Sequence, residues 1–142
     1  MVSSVPRPSL PLRPRSGRLG RQLRLDHREL ESDFADLHRR GVAGDWHDLN
    51  AVWSDFGERF ETHMKFEEEE LFPVYVRHRP EAATEVAELK AEHGAIRALL
   101  DQLALEIQLH EIRAHTVDAF IERIEAHAKR ENERFYAWAS TL

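Results

Sequence analysis

The chain has 142 residues, 42% of them hydrophobic and 32% charged, and a net charge of −6. This length allows one domain with a sizeable core, and the balance of apolar and charged residues suits a mostly helical protein better than a disordered chain. Because the sequence has no cysteine, disulfides, thiolate metal ligands and cysteine nucleophiles are excluded, and any bound metal must use nitrogen and oxygen donors.

Residues 1–20 are predicted to form a flexible basic tail, followed by a folded domain at residues 21–142. Four prolines interrupt any helix in the tail: Pro6, Pro8, Pro11 and Pro14. Residues 1–24 contain six arginines and no acidic residue, which leaves a net charge of −12 on the remainder. Such an acidic domain is not expected to bind nucleic acid. We interpret the tail as an extension without a function of its own; contact with an anionic partner is the alternative.

The domain has an all-α pattern, because apolar residues recur at steps of three and four in four segments. The first segment contains Leu19, Leu23, His27, Leu30, Phe34 and Leu37. The second contains Leu49, Trp53, Phe56, Phe60, His63, Glu67, Leu71 and Val74. The third contains Val86, Leu89, His93, Ile96, Leu100, Leu103 and Ile107, and the fourth Val117, Phe120, Ile124, His127, Glu131, Phe135 and Trp138. No segment approaches the roughly 18 uninterrupted apolar residues of a membrane-spanning helix, so we expect a cytoplasmic protein without membrane contact.

The turns between these segments are signalled unequally. The glycine-containing stretch at 41–45 ends the first segment, and Pro80 stands where the third segment can begin. The break between the third and fourth segments, around His110 and Glu111, contains no glycine or proline. Pro73 lies inside the second segment and is predicted to kink it or to end it early.

An internal repeat relates the two halves of the domain. The stretch ETHMKFEEE at 61–69 aligns with EAHAKRENE at 125–133, and DHREL at 26–30 aligns with EHGAI at 92–96. The chain therefore resembles two copies of a helical hairpin, in which residues equally distant from a turn lie at the same height. Turns near 46, 79 and 111 place six polar residues in one layer, the polar layer: His27, His63, Glu67, His93, His127 and Glu131.

The polar layer has the composition of a two-metal site. Each His-x-x-x-Glu pair lies on one helix face, with Cβ atoms roughly 5 to 6 Å apart, so both side chains can reach one ion. Four imidazoles and two carboxylates supply two nitrogen donors for each ion and two bridging groups. Without cations, removing these carboxylates from water would carry a large free-energy cost for folding. Ligand chemistry alone accepts iron, zinc or manganese.

These residues resemble the hemerythrin-like HHE cation-binding domains, of which the stretch HMKFEEEELFP at 63–73 is typical. The resemblance covers the chain from about residue 21 to about residue 140. It implies an up-and-down antiparallel four-helix bundle around a non-haem di-iron centre. It further implies that His27 and His63 bind one iron and that His93 and His127 bind the other. Glu67 and Glu131 would bridge the two ions.

The sequence departs from the hemerythrins that carry oxygen. Those proteins have a fifth histidine where this chain has Leu89, and their last carboxylate follows its histidine at a five-residue spacing instead of the four between His127 and Glu131. The pattern is closer to members with four histidines and two glutamates, which include iron-cluster repair proteins that handle nitric oxide damage. Open coordination positions would face a dry pocket suited to small uncharged ligands. Its predicted lining is Leu30, Phe60, Leu89, Ile96 and Ile124.

The remaining polar residues are predicted to lie outside the site. Glu68, Glu69 and Glu70 are expected to face solvent. Tyr75 and Tyr136 lie about two turns from the ligands and are not included in the site. The other histidines are expected at the surface or at helix ends: His38, His47, His78, His110 and His115.

The favoured function is that of a di-iron protein that binds or reacts with oxygen, peroxide or nitric oxide in sensing, storage or detoxification. The alternative is a non-catalytic module that holds iron, zinc or manganese or that docks a partner. Catalysis stays open, and an enzyme of this kind would be a di-iron oxidoreductase. The sequence sets no oligomeric state.

Overall fold

The computed structural model describes residues 18–142, and all regular structure in this range is helical. The first segment is α1 (Arg18–Val42), and the second consists of α2 (Leu49–Phe66), a π-helical turn (Glu67–Leu71) and α3 (Phe72–His78). A 3-10 turn (Pro80–Ala82) leads into the third segment, α4 (Ala83–Gln108). The fourth consists of α5 (Ala114–Arg130), a second π-helical turn (Glu131–Phe135) and α6 (Tyr136–Ala139). The prediction of an all-α fold with four helical segments is confirmed.

The predicted tail lies outside the described residues, except for residues 18–20, which belong to α1. Within residues 18–142, no helix combines the length and the apolar composition that crossing a membrane requires.

The two well-signalled turns form where the sequence places them. Gly44 adopts a left-handed backbone with φ of 75°, which glycine adopts without steric cost, and α1 ends two residues before it. Pro80 begins the 3-10 turn that starts the third segment. Pro73 does not end the second segment early, because α3 continues to His78; a π-helical turn precedes this proline.

The turn between α4 and α5 is built from contacts that local sequence does not signal. His110 adopts the left-handed conformation with φ of 55°, and its ring stacks on Trp46 at a centroid distance of 4.5 Å. The buried carboxylate of Glu106 accepts hydrogen bonds from the Arg113 backbone N–H at 2.8 Å and from the Thr116 hydroxyl at 2.7 Å. Glu106 therefore caps the start of α5 from the preceding helix.

Two apolar clusters lie on either side of the polar layer. The first cluster contains Leu30, Phe34, Leu37, Leu49, Trp53, Phe56, Phe60, Met64, Ile96, Leu100, Leu103, Ile107, Val117, Phe120 and Ile124. The second contains Leu19, Leu23, Leu71, Phe72, Tyr75, Ala82, Val86, Leu89, Phe135, Tyr136, Trp138, Ala139 and Leu142. Helix α1 packs against α2 and α6, and α4 packs against α2 and α5. The four segments thus enclose the polar layer between two apolar cores.

Candidate metal centre

The structure brings all six residues of the polar layer together. Glu67, His93 and Glu131 have no exposed surface, and the His27 side chain, the most exposed of the six, is 11% exposed. Their ligand atoms form two groups, within each of which all atoms lie within 4.8 Å of one another. The first group consists of His27, His63, Glu67 and Glu131, and the second of Glu67, His93, His127 and Glu131.

Both glutamates belong to both groups, because each directs its two carboxylate oxygens to different histidines. Glu67 Oε2 lies 3.2 Å from His63 Nε2, and Glu67 Oε1 lies 3.1 Å from His93 Nε2. Glu131 Oε1 lies 3.1 Å from His27 Nε2, and Glu131 Oε2 lies 3.1 Å from His127 Nε2. Each carboxylate therefore links a histidine of the first group to a histidine of the second.

The donor atoms of the second group lack hydrogen-bond partners. Glu67 Oε1, His93 Nε2, His127 Nε2 and Glu131 Oε2 are all buried and unpaired, although some of them lie at ion-pair distances from one another. Unpaired buried polar atoms are rare in folded proteins and call for an explanation. Nitrogen and oxygen atoms that converge from four residues suit a divalent or trivalent cation.

Carboxylates outside the polar layer hold the histidines of the second group. His93 Nδ1 lies 2.7 Å from Glu68 Oε2, and His127 Nδ1 lies 2.6 Å from Glu92 Oε1. In a neutral imidazole, a carboxylate at Nδ1 fixes the proton there, so the lone pair of Nε2 faces the group. The prediction that Glu68 faces solvent is therefore wrong, because its carboxylate accepts hydrogen bonds from both His93 and Arg97.

Each of these carboxylates is in turn paired with an arginine. Arg97 donates hydrogen bonds to Glu68 and Glu61, and Arg130 Nη1 lies 2.9 Å from Glu92 Oε2. Burial would raise the pKa of the Glu68 carboxyl, but Arg97 and His93 hold it below the ordinary value. These ion pairs hold both carboxylates in place.

The histidines of the first group have weaker support. His63 Nδ1 lies 3.7 Å from Asp26 Oδ2, which is longer than a hydrogen bond, and His27 Nδ1 has no hydrogen-bond partner. Their Nε2 atoms instead contact the phenol of Tyr136, a fully buried residue, at 2.8 Å for His27 and 3.2 Å for His63. Excluding Tyr136 from the site was wrong.

The second π-helical turn explains why Tyr136 reaches the polar layer. Its backbone N–H donates to the carbonyl of Glu131, five residues earlier, which is the i→i+5 bond of a π-helix. In an α-helix, a residue five positions later is rotated by about 140° and would face away. The wider turn reduces this rotation. A signal was available in the repeat, where continuing the alignment pairs Phe72 with Tyr136, two aromatic residues at the same distance from their glutamates.

The charges in the polar layer perturb its protonation strongly in the metal-free protein. Burial lowers the pKa of His63, but Glu67 and Asp26 outweigh this effect and raise it to about 10. The pKa of His93 likewise rises to about 10, because Glu131 and Glu67 outweigh burial. Burial alone would raise the pKa of Glu131, yet the adjacent imidazoles of His127, His27 and His93 hold it well below the ordinary value. Protons thus supply the positive charge that cations would otherwise provide.

A small cavity of about 20 Å³ lies beside the polar layer, between α1 and α5. Three of the predicted apolar neighbours, Leu30, Phe60 and Ile124, line it together with His27 and His127. Leu89 and Ile96 are fully buried but do not line this cavity. This volume holds about one water molecule, so only a very small ligand fits.

The family model of the hemerythrin HHE cation-binding domain matches residues 19–139. The chain belongs to this family. Searches of curated proteins and of solved structures find no match to the chain. The resemblance read from the His-x-x-x-Glu motifs is therefore confirmed, and the hemerythrin-like domain contains two groups of residues able to hold a cation.

Proposed function

We propose that this hemerythrin-like chain is a non-haem di-iron protein that binds or reacts with oxygen, peroxide or nitric oxide in sensing, storage or detoxification. Its ligands are the six residues of the polar layer, with Glu67 and Glu131 bridging the ions. The observation that carries the proposal is the set of four unpaired buried donor atoms in the second group. The cytoplasm is the proposed location.

The proposal includes an up-and-down antiparallel order of the four segments. It is supported by the order in which each segment meets the two apolar clusters. Helix α1 begins among residues of the second cluster and ends in the first, and the segment from α2 to α3 does the reverse. Helix α4 follows the direction of α1, and the segment from α5 to α6 that of α2.

The spacing of the donor atoms supports two metal ions. Ligand atoms bound to one ion at about 2.1 Å are separated by about 3.0 Å in an octahedron and about 3.4 Å in a tetrahedron. The closest histidine–glutamate pairs in the polar layer lie at 3.1 to 3.6 Å. Iron is the proposed metal because of the family resemblance, and zinc or manganese would find acceptable donors in the same residues.

Bound iron supplies open coordination positions and one-electron redox chemistry, while the protein controls what reaches them. Glu68 and Glu92 keep the Nε2 lone pairs of His93 and His127 directed inward. Leu30, Phe60 and Ile124 form apolar walls of the adjoining cavity. These walls favour a small uncharged ligand over water-soluble substrates of larger size.

Metal analysis combined with absorption spectroscopy tests the proposal. We expect two iron ions per chain after expression with added iron, and a spectrum that changes with oxygen, hydrogen peroxide or nitric oxide. The variant His93→Ala should bind fewer iron ions per chain. The control His115→Ala changes an exposed histidine and should bind as many ions as the protein without substitutions. Bound metal with an unresponsive spectrum would favour the binding module. A lack of stoichiometric metal would contradict both the di-iron function and a module that holds metal.

A further inference from the structure

The phenolic oxygen of Tyr136 lies at the centre of the first group of ligand atoms. Its distances are 2.6 Å to Glu67 Oε2, 2.9 Å to Glu131 Oε1, 2.8 Å to His27 Nε2 and 3.2 Å to His63 Nε2. These four residues are the whole of the first group. The phenol oxygen thus shares the space in which they would hold an ion.

Hydrogen bonding alone does not satisfy this arrangement. A phenol donates one hydrogen bond and accepts two, whereas Tyr136 has four polar neighbours. The phenol can donate its proton to only one of Glu67 and Glu131. The other carboxylate oxygen then lies within about 3 Å of a phenol lone pair, and the two repel each other. A cation removes this repulsion, because it attracts both carboxylates and the phenol oxygen.

The internal repeat shows that the phenol oxygen is specific to one half of the site. The offset of 64 residues that pairs His63 with His127 also pairs Phe72 with Tyr136. Phe72 stacks on His93 at a centroid distance of 5.9 Å, so it stands by the second group as Tyr136 stands by the first. The second group therefore has the aromatic ring without an oxygen donor.

The anionic groups around the histidines show the opposite asymmetry. Glu68 and Glu92 contact Nδ1 of the two histidines of the second group. In the first group His27 Nδ1 has no hydrogen-bond partner, and the repeat places Asn132 at the position that matches Glu68. The first group thus has less negative charge near the Nδ1 atoms of its imidazoles, and it has an additional oxygen donor near their Nε2 atoms.

We propose that Tyr136 is a protein ligand of the cation held by His27 and His63, so that the two metal positions differ in chemistry. This inference rests on the proposed function only in requiring cations in the polar layer. When the cation binds, the O–H bond of Tyr136 breaks, its oxygen bonds to the ion and its proton leaves to solvent. No electron is transferred. With one more protein ligand, the first position keeps fewer open coordination positions than the second.

Resonance Raman and visible absorption spectroscopy of the full chain reconstituted with iron test this assignment. A phenolate bound to iron(III) gives a charge-transfer band and enhanced tyrosinate ring vibrations. The chain has only two tyrosines, so these signals have two possible sources. We expect them in the unchanged protein and in Tyr75→Phe, and we expect their loss in Tyr136→Phe. Tyr75 is the matched control, because it is also buried and its hydroxyl contacts Glu85 outside the polar layer.

A chelator competition titration gives a second readout. In Tyr136→Phe one of the two metal equivalents should bind at least about tenfold more weakly, a change of about 1.4 kcal/mol, while the other is unchanged. The packing of Phe72 beside the second group shows that a phenylalanine ring is compatible with such a position. The spectroscopic test of the unchanged protein does not depend on the folding of any variant.

The outcomes separate this inference from the proposed function. Two bound iron(III) ions without tyrosinate vibrations would overturn the ligand assignment and leave the di-iron proposal intact. One ion in the unchanged protein but two in Tyr136→Phe would also overturn it, because the phenol would then block the first position. Absence of bound metal in both proteins would overturn the assignment together with the proposed function.

Discussion

Glu67 and Glu68 are neighbours in a run of four glutamates, yet each has a distinct environment. Glu67 is fully buried and shared by both ligand groups, whereas Glu68 lies at the edge of the core between His93 and Arg97. Glu69 and Glu70 are exposed. Helical periodicity identified Glu67 correctly, but it did not separate Glu68 from the exposed pair. That separation depends on α4, which presents His93 and Arg97 to one face of α2 and its π-helical turn.

The glutamate run provides a matched pair of substitutions. Glu68→Ala should weaken metal binding about 10- to 100-fold, because His93 loses the carboxylate that holds its Nδ1 proton. Glu69→Ala removes an exposed carboxylate from the next position and should leave the affinity unchanged. Chelator competition measures both. Equal affinities in the two variants would show that Glu68 does not position His93.

At the scale of single elements, the π-helical turns and the turn from α4 to α5 determine how the site is assembled. Both π-helical turns begin at a glutamate of the polar layer and end one residue before an aromatic residue, Phe72 or Tyr136. Helix α1 also approaches α6 closely at Gly20, where a Cβ atom would collide with the Ser140 side chain. These features fix the phenol of Tyr136 against His27, although regular helical periodicity directs it elsewhere.

The cap formed by Glu106 gives a prediction for the α4–α5 turn. Glu106→Ala should lower the free energy of unfolding by about 1 to 3 kcal/mol, because the Thr116 hydroxyl and the Arg113 backbone N–H lose their acceptor. Glu111→Ala changes an exposed carboxylate in the same turn and serves as the control. Urea unfolding measures the difference. A variant as stable as the control would show that Trp46 and His110 suffice to form this turn.

For the whole molecule, metal-free and metal-loaded protein should respond differently to pH. In the metal-free protein the pKa values of His63 and His93 rise from 6.5 to about 10 on folding. The folded state then binds more protons than the unfolded state between these values, so stability falls as pH rises through this window. Glu131, with a lowered pKa, contributes stability above its unfolded pKa that is lost as pH falls. Stability of the metal-free protein should therefore be highest between about pH 4.5 and about pH 6.5.

Bound cations replace these protons, so metal binding strengthens as the histidines deprotonate. We expect the difference in unfolding temperature between loaded and metal-free protein to increase from about pH 6 to about pH 9. Thermal unfolding with and without a chelator measures it. Metal-free protein that is as stable at about pH 9 as at about pH 6 would contradict the assignment of raised pKa values to the buried histidines.

The sequence by itself determined the four helical segments, two of the three turns and the six residues of the polar layer. These features follow from helical periodicity, from glycine and proline, and from the repeated His-x-x-x-Glu motif, all of which act between residues close in the chain. Only the tertiary structure decided the partners of the imidazoles, the third turn and the position of Tyr136. Glu68, Glu92 and Glu106 act on residues of other helices, and the inward direction of Tyr136 depends on a π-helical turn. Such contacts depend on how the helices pack and rotate relative to one another, which no single helical segment specifies.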